Sequence, residues 1–375
     1  MVLQNGLVRI NKLLPPELAL TISPGDARSN AAMASMLLMS DAQGKGKSEA
    51  ATYVKAALRR DATNVEAARN GGLIADASND NARARQSLRF AEALSRRDLP
   101  TQLWLLEDAV NRGDVGTALD HFDIALRTSN DASKILVPIL VRAIDEPPLA
   151  HAIVAVLARR PIWAEGYLIT VAQTGQDNAK VADLFLNISK AGVPVPQYIR
   201  DTLIRRFVDA GDFILGMRLY RAFYSKGGND LIRNGGFELS DANVAFDWRP
   251  VDTAGISALR TEEKGNIVLQ IQGSPTEAGP AIRQLLVLPV GRYAIGGTFQ
   301  SPNETAATSP YFDLTCAGPQ SIAIGHIVMT SGKFRGIVSV PESGCEAQWL
   351  TLSVPSTESS DGSAGTVDNI SVERM

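Results

Sequence analysis

The sequence predicts a multidomain chain of two unlike parts in series: an α-α helical repeat solenoid followed by a β-sandwich. Three observations predict it. The chain has 375 residues, too many for one ordinary domain. Its composition changes along its length. Residues 1–228 are rich in Ala, Leu and Arg and carry 28 Lys+Arg against 24 Asp+Glu; residues 229–375 are rich in Gly, Ser, Thr, Val and Pro and carry 9 against 16. The two net charges, +4 and −7, sum to the −3 of the whole chain. Finally, the first part repeats itself while the second alternates like strands. These parts give the expected domains, 1–228 and 229–375.

The repeat is carried by apolar markers. Leu58, Leu94, Leu126, Leu157, Ile188 and Phe223 are separated by 36, 32, 31, 31 and 35 residues. A period near that length, made of two helices, is the signature of a helix-turn-helix solenoid. Short turns interrupt the units at Ser78-Asn79-Asp80-Asn81, Arg112-Gly113-Asp114, Gly175-Gln176-Asp177 and Ala210-Gly211-Asp212. The clearest unit runs from Thr101 to Lys134. Trp104 and Leu105 open its first helix, Gly113-Asp114 turns the chain, and Ala118, Phe122 and Ala125 line the inner face of the second helix. This pattern resembles the tetratricopeptide repeat over about 190 residues. The resemblance implies a concave surface that holds a protein partner.

Other features of this part have plain structural readings. Arg59-Arg60, Arg96-Arg97 and Arg159-Arg160 suit helix C-termini, where cations complement the dipole; a basic ridge for an acidic partner is the alternative. His121 and His151 read as ordinary helix positions. Gly44-Lys45-Gly46-Lys47-Ser48 ends like a phosphate-binding loop, but Asp41 stands where its first Gly belongs and no strand precedes it. Gln43–Lys47 is therefore expected to be a turn between helices. Met1–Leu14 has neither the charged start nor the apolar core of a signal peptide, and Pro15-Pro16 breaks any helix there. Either the protein is cytoplasmic, or the sequence begins downstream of an export signal or anchor.

Gly227-Gly228-Asn229-Asp230 marks the junction. Beyond it the expected strands are Asn266–Gln272, Ala281–Leu288, Gly291–Thr298, Tyr311–Cys316, Phe334–Val340 and Gln348–Val354, closed by Val367–Val372. Turn signals recur between them, as in a sandwich. Glu262-Glu263 reads as part of a polar turn, and Ala323–Val328, around His326, as a strand-like run. Three segments in order are distinctive: Asn234-Gly235-Gly236-Phe237-Glu238 with Trp248 shortly after, then Leu288-Pro289-Val290-Gly291-Arg292-Tyr293, then Val367-Asp368-Asn369-Ile370. Together they resemble the jelly-roll carbohydrate-binding modules of the galactose-binding-like group, over about 145 residues.

That resemblance implies two sites. In many such modules a structural calcium ties the first strand to the last; the matching carboxylates are Glu238 and Asp368. The alternative is that both carboxylates hydrogen-bond locally instead. The resemblance also implies a polysaccharide-binding surface, and its second segment matches the family's ligand-facing strand. A sugar ring stacks on an exposed aromatic, for which Trp349, Tyr311 and Trp248 are the candidates. Alternation puts Leu350 and Leu352 on one face of their strand and Trp349 on the other, while Trp248 and Tyr293 also suit the core. Cys316 and Cys345 both lie in the second part, 29 residues apart, at expected strand ends. Either they form a disulfide, which places the domain in an oxidising compartment, or they are two buried thiols.

The exclusions are broad. A net charge of −3 argues against a general nucleic-acid binder. Three histidines and two cysteines leave no Cys/His zinc cluster. The longest strongly apolar stretch, near Ile135–Ile144, contains Pro138 and Arg142 and is too short to span a membrane. No Gly-x-Ser-x-Gly, His-Glu-x-x-His, Cys-x-x-Cys or Gly-x-Gly-x-x-Gly motif occurs. The expected protein is thus no enzyme and has no catalytic cofactor. The combined architecture resembles tetratricopeptide proteins of bacterial envelope polysaccharide secretion. It implies a periplasmic protein that holds a protein partner on its repeats and polysaccharide on its sandwich. A pure protein scaffold and an accessory subunit of a glycan-active enzyme are the alternatives.

Overall fold

The computed structural model describes residues 14–40, 46–224, 231–239, 245–301, 309–318, 321–357 and 362–375. Three sequence readings therefore lie outside the described residues in whole or in part: the start Met1–Leu14, the Gly44-Lys45 portion of the turn before Lys47, and the breaker Gly227–Asp230. Among the described residues, thirteen α-helices precede ten strands. The fold is a helical repeat array followed by a β-sandwich. The chain separates into two compact units, Met1–Tyr167 and Leu168–Met375. The change from helix to strand lies inside the second unit.

The helices pair. Ala27–Ser40 pairs with Lys47–Arg60, Val65–Asp76 with Asn81–Leu94, and Leu99–Asn111 with Val115–Thr128. Each of the markers Leu58, Leu94, Leu126, Leu157, Ile188 and Phe223 falls in the last turn of a helix. The turns work because they end in a capping side chain. Asn64, Asp80, Asp98 and Asp114 each accept the backbone N–H three residues ahead, satisfying a donor that the first helical turn leaves open. Gly113 closes one turn at φ 72°, a backbone geometry that favours glycine.

Small residues form much of the first unit's core. Ala31, Ala57 and Ala67 make one fully buried cluster, and Ala34, Ala50 and Val54 another. Without bulky side chains the helix axes approach closely. The buried Asn70 amide then bridges two helices, donating to the Ala31 carbonyl at 3.0 Å and to Ser35 Oγ at 2.9 Å. Ala118, Phe122 and Ala125 are buried on the inner face of their helix.

In the second unit, Asn178–Lys190, Gln197–Asp209 and Phe213–Tyr224 continue the helices. Asp177 caps the first of them. Arg206 donates to the Ala172 carbonyl at 2.9 Å and to Asn178 Oδ1 at 2.6 Å, closing the end of Ala164–Thr174 with a cation. The strands are β1 Arg249–Pro250, β2 Ile256–Glu263, β3 Asn266–Gly273, β4 Gly279–Leu286, β5 Gly291–Gln300, β6 Tyr311–Cys316, β7 Ala323–Val328, β8 Gly332–Val340, β9 Gln348–Val354 and β10 Ser363–Arg374. They form two five-stranded antiparallel sheets, in the orders β1-β4-β9-β6-β7 and β2-β3-β10-β5-β8. Inward-facing Leu269, Ile271, Ile295, Phe299, Phe312, Leu350 and Leu352 fill the space between the sheets.

The structure corrects the reading of Glu262-Glu263 as a turn. Both end β2, and Glu263 pairs with Asn266 across the tight turn Lys264-Gly265, whose φ values are 53° and 83°. β2 is an edge strand with mostly exposed side chains, so it needs few apolar residues and leaves a weak pattern.

A buried ionic cluster fastens the last helix to the sandwich within this unit. Tyr220 Oη donates to Asp247, and Arg233 Nε lies 2.6 Å from the same carboxylate. Asp247 is fully buried, and burial pushes the Tyr220 hydroxyl far above its usual range. The Tyr220 and Phe246 rings stand 5.4 Å apart beside it.

Candidate functional site

The outer face of the β1-β4-β9-β6-β7 sheet carries the candidate surface. Strand register puts Arg283 on β4 opposite Thr351 on β9, Thr351 opposite Asp313 on β6, and Asp313 opposite His326 on β7. Four polar side chains therefore cross four strands in one row. The row is internally connected: His326 Nδ1 lies 2.8 Å from Asp313 Oδ1. Tyr311, two residues along β6, lies beside His326 with the rings tilted and their centroids 4.8 Å apart. Trp349, two residues along β9, lies under Arg283, whose guanidinium carbon is 4.3 Å from the ring centroid. Arg283 and His326 are exposed, and Tyr311, Asp313, Trp349 and Thr351 are half-buried. The row offers donors and acceptors, and the flanking rings offer apolar faces. This combination can hold a hydroxyl-rich ring against a flat sheet.

The three aromatic candidates thus differ. Tyr311 and Trp349 share the outer face, although Arg283 covers one side of the indole. Trp248 does not reach it. It is 3% exposed and packs between Phe237 and Phe312 at 5.6 and 6.3 Å, donating Nε1–H to the Asn234 carbonyl. Trp248 is a core residue and offers no face to a sugar. Tyr293 is also buried; its hydroxyl donates to the Pro289 carbonyl at 2.6 Å. Its strand, β5, belongs to the other sheet, so the family's ligand-facing segment does not supply this face. Arg283, Asp313 and Thr351 carried no signal in the sequence, because only register brings them into line.

The carboxylates that the resemblance assigns to calcium sit in different settings. Asp368 is buried, with Oδ1 accepting the Asn369 backbone N–H at 2.7 Å and Oδ2 accepting amide hydrogens from Asn266 and Asn369 at 2.8 and 2.9 Å. Three N–H groups thus occupy the oxygens of Asp368, and a cation binding there would have to displace the backbone N–H and turn the two amides. Glu238 is exposed and folds back over Gly236. The first and last segments of the sandwich are joined by the main chain: Ile370 N–H donates to the Gly235 carbonyl at 2.8 Å. A side chain at position 235 would collide with the Ile370 carbonyl oxygen, which accounts for the glycine. Among the described residues no group of three or more His, Cys, Asp or Glu side chains is placed to hold a metal ion.

Cys316 and Cys345 form a disulfide. In the first unit, His121 is a core histidine, with Nδ1 2.8 Å from Gln102 Oε1 and burial holding its pKa below the usual value. His151, Arg59, Arg60, Arg96 and Arg97 lie at or near the surface, and Arg159 reaches Asp120 at 3.3 Å. Among the described helices none is long and apolar enough to cross a membrane.

No family model matches this chain, and no curated protein matches it. Solved structures similar to it include the following three. The enzymatically active domain of tailspike protein 4 of bacteriophage CBA120 is 11% identical over 39% of this chain and 21% of its own, with a TM-score of 0.27. The match therefore spans about a fifth of that protein. A CBM4 structure is 14% identical over 38% of this chain and 99% of its own, with a TM-score of 0.30. PilF of Pseudomonas aeruginosa is 20% identical over 60% of this chain and 92% of its own, with a TM-score of 0.29. These are likenesses of fold alone.

Proposed function

We propose that this chain is a non-catalytic binding and assembly protein of the bacterial envelope, acting in exopolysaccharide biosynthesis or secretion. Its sandwich binds polysaccharide on the outer face of the β1-β4-β9-β6-β7 sheet. The carrying observation is the cross-strand row Arg283–Thr351–Asp313–His326, flanked by Tyr311 and Trp349. Open sheet faces of this kind suit an extended polymer better than a small enclosed ligand. The helical repeats hold a protein partner. Ile135 and Ile139, one turn apart on Asn130–Arg142, are each more than half exposed and offer an apolar stripe to it. The disulfide supports an oxidising compartment such as the periplasm.

Affinity electrophoresis tests the glycan reading. The full chain is run through native gels containing each of a panel of soluble polysaccharides. Retardation by at least one polymer, abolished by Tyr311→Ala together with Asp313→Ala, supports the site. Unchanged mobility in every gel contradicts it. The covered indole of Trp349 favours a second reading, in which the sheet face contacts protein and the chain is a scaffold. A partner that remains bound after saturating polysaccharide distinguishes the two.

A further inference from the structure

A groove in the second unit lies away from the sheet face. One wall is the helix Phe213–Tyr224, which presents Ile214, Met217, Arg218 and Arg221 at positions i, i+3, i+4 and i+7, a single helical face. The other wall is built from the β4–β5 and β8–β9 connections. Leu231 and Leu288 form an apolar floor, and the groove encloses 790 Å³. Ile214 and Val290, both of which line it, are 55% and 47% exposed.

The walls are held firmly. Asp247 fixes the helix through Tyr220 and Arg233. The buried Gln348 side chain stitches both connections together, accepting the Leu288 N–H at 2.9 Å and donating to the Cys345 carbonyl at 2.7 Å. The Cys316–Cys345 disulfide anchors the second of them covalently. The groove is therefore formed before anything occupies it, which lowers the ordering cost of binding.

Charge is segregated across it. Arg218 and Arg221 line the helical rim, and Glu342 and Glu346 the opposite rim. Among the described residues none of these four makes an ion pair, with each other or with another side chain. Two cations and two anions thus face each other over an apolar floor without neutralising one another.

We infer that this groove binds a short extended segment of a partner polypeptide, with apolar side chains at its centre, acidic residues toward Arg218 and Arg221, and basic residues toward Glu342 and Glu346. The opposed rims select that pattern and repel its reverse. More than half of its lining is loop, from the β4–β5 and β8–β9 connections, whose main chain can meet that of an extended ligand. An extended chain fits the same space with its side chains reaching the floor.

Selection from a phage-displayed random heptapeptide library on the immobilised full chain tests this. The expected winners carry an apolar core with acidic residues on one side and basic residues on the other. A synthetic copy of the strongest winner then loses at least tenfold in affinity for Arg218→Glu/Arg221→Glu. A copy with its acidic residues changed to lysine regains that affinity on the same variant. Glu342→Lys/Glu346→Lys provides the mirror test on a loop rim. Thermal melts confirm that both variants stay folded. No enrichment over an unrelated protein, winners without paired charges, or affinity indifferent to the charge reversals would each overturn the inference.

Discussion

The first unit and the sandwich stabilise themselves in opposite ways. In the first unit, fully buried alanines let short helices pack, and each turn is closed by an Asn or Asp that caps the next helix. The information is local and repeated. In the sandwich, large side chains from strands far apart in sequence share one core, and a disulfide and buried polar links fasten the edges. There the information is long-range and occurs once. Losing one element should therefore cost little in the repeats and much in the sandwich unit.

The largest expected effect is at Asp247. Asp247→Ala leaves the buried Tyr220 and the partly buried Arg233 without their shared acceptor, at a cost of about 3–5 kcal/mol. Urea denaturation measures the loss, and hydrogen exchange should place it in 168–375; protection lost equally across residues 14–167 would contradict the comparison. Next comes the disulfide. Cys316→Ser/Cys345→Ser reopens a 29-residue separation and should cost about 3 kcal/mol, seen as a lower melting temperature that reductant no longer changes. In the repeats, Asp98→Ala removes a cap and one partner of Arg69, which keeps Glu66 at 3.3 Å and Ser35 Oγ at 3.1 Å, so the cost should be only about 1–2 kcal/mol by urea midpoint.

Two smaller effects sharpen the comparison. Burial lowers the His121 pKa in the fold, so the unfolded chain binds the proton more readily. Stability from this group is complete above the unfolded histidine value of about 6.5 and falls as the pH drops through it. Calorimetric melts from about pH 7.5 to 5.5 should show that decline. His121→Gln should flatten it; a steeper decline in the variant would contradict the assignment. For Asp368, whose oxygens already accept three N–H groups, calcium and a chelator should leave the melting temperature unchanged. A reversible rise with calcium would show that a cation displaces those amides.

The same contrast governs what could be read from the residues. The repeats were legible because each unit restates its markers and its capping turn. The strands Tyr311–Cys316 and Gln348–Val354 were legible because their alternation is strong. β2 was not, since an edge strand with an exposed face has little apolar pattern to show. The candidate surface was half legible. Tyr311 and Trp349 stand out as aromatics, and alternation placed Trp349 off the core face. Nothing local aligns Arg283, Thr351, Asp313 and His326, because a one-residue slip in any pairing would scatter the row. Trp248 was the hardest to assign: its sequence neighbourhood is the same whether its ring faces sugar or packs against Phe237 and Phe312.

The central claim is that one sheet face of the sandwich binds polysaccharide. Calorimetric titration of the full chain with the polymer that retards it most tests this directly, using Tyr311→Ala/Asp313→Ala on that face and Lys333→Ala on the opposite sheet. The account predicts saturable heat for the unmodified chain and for Lys333→Ala, and at least a tenfold loss of affinity for Tyr311→Ala/Asp313→Ala. Equal affinity in all three proteins would contradict it.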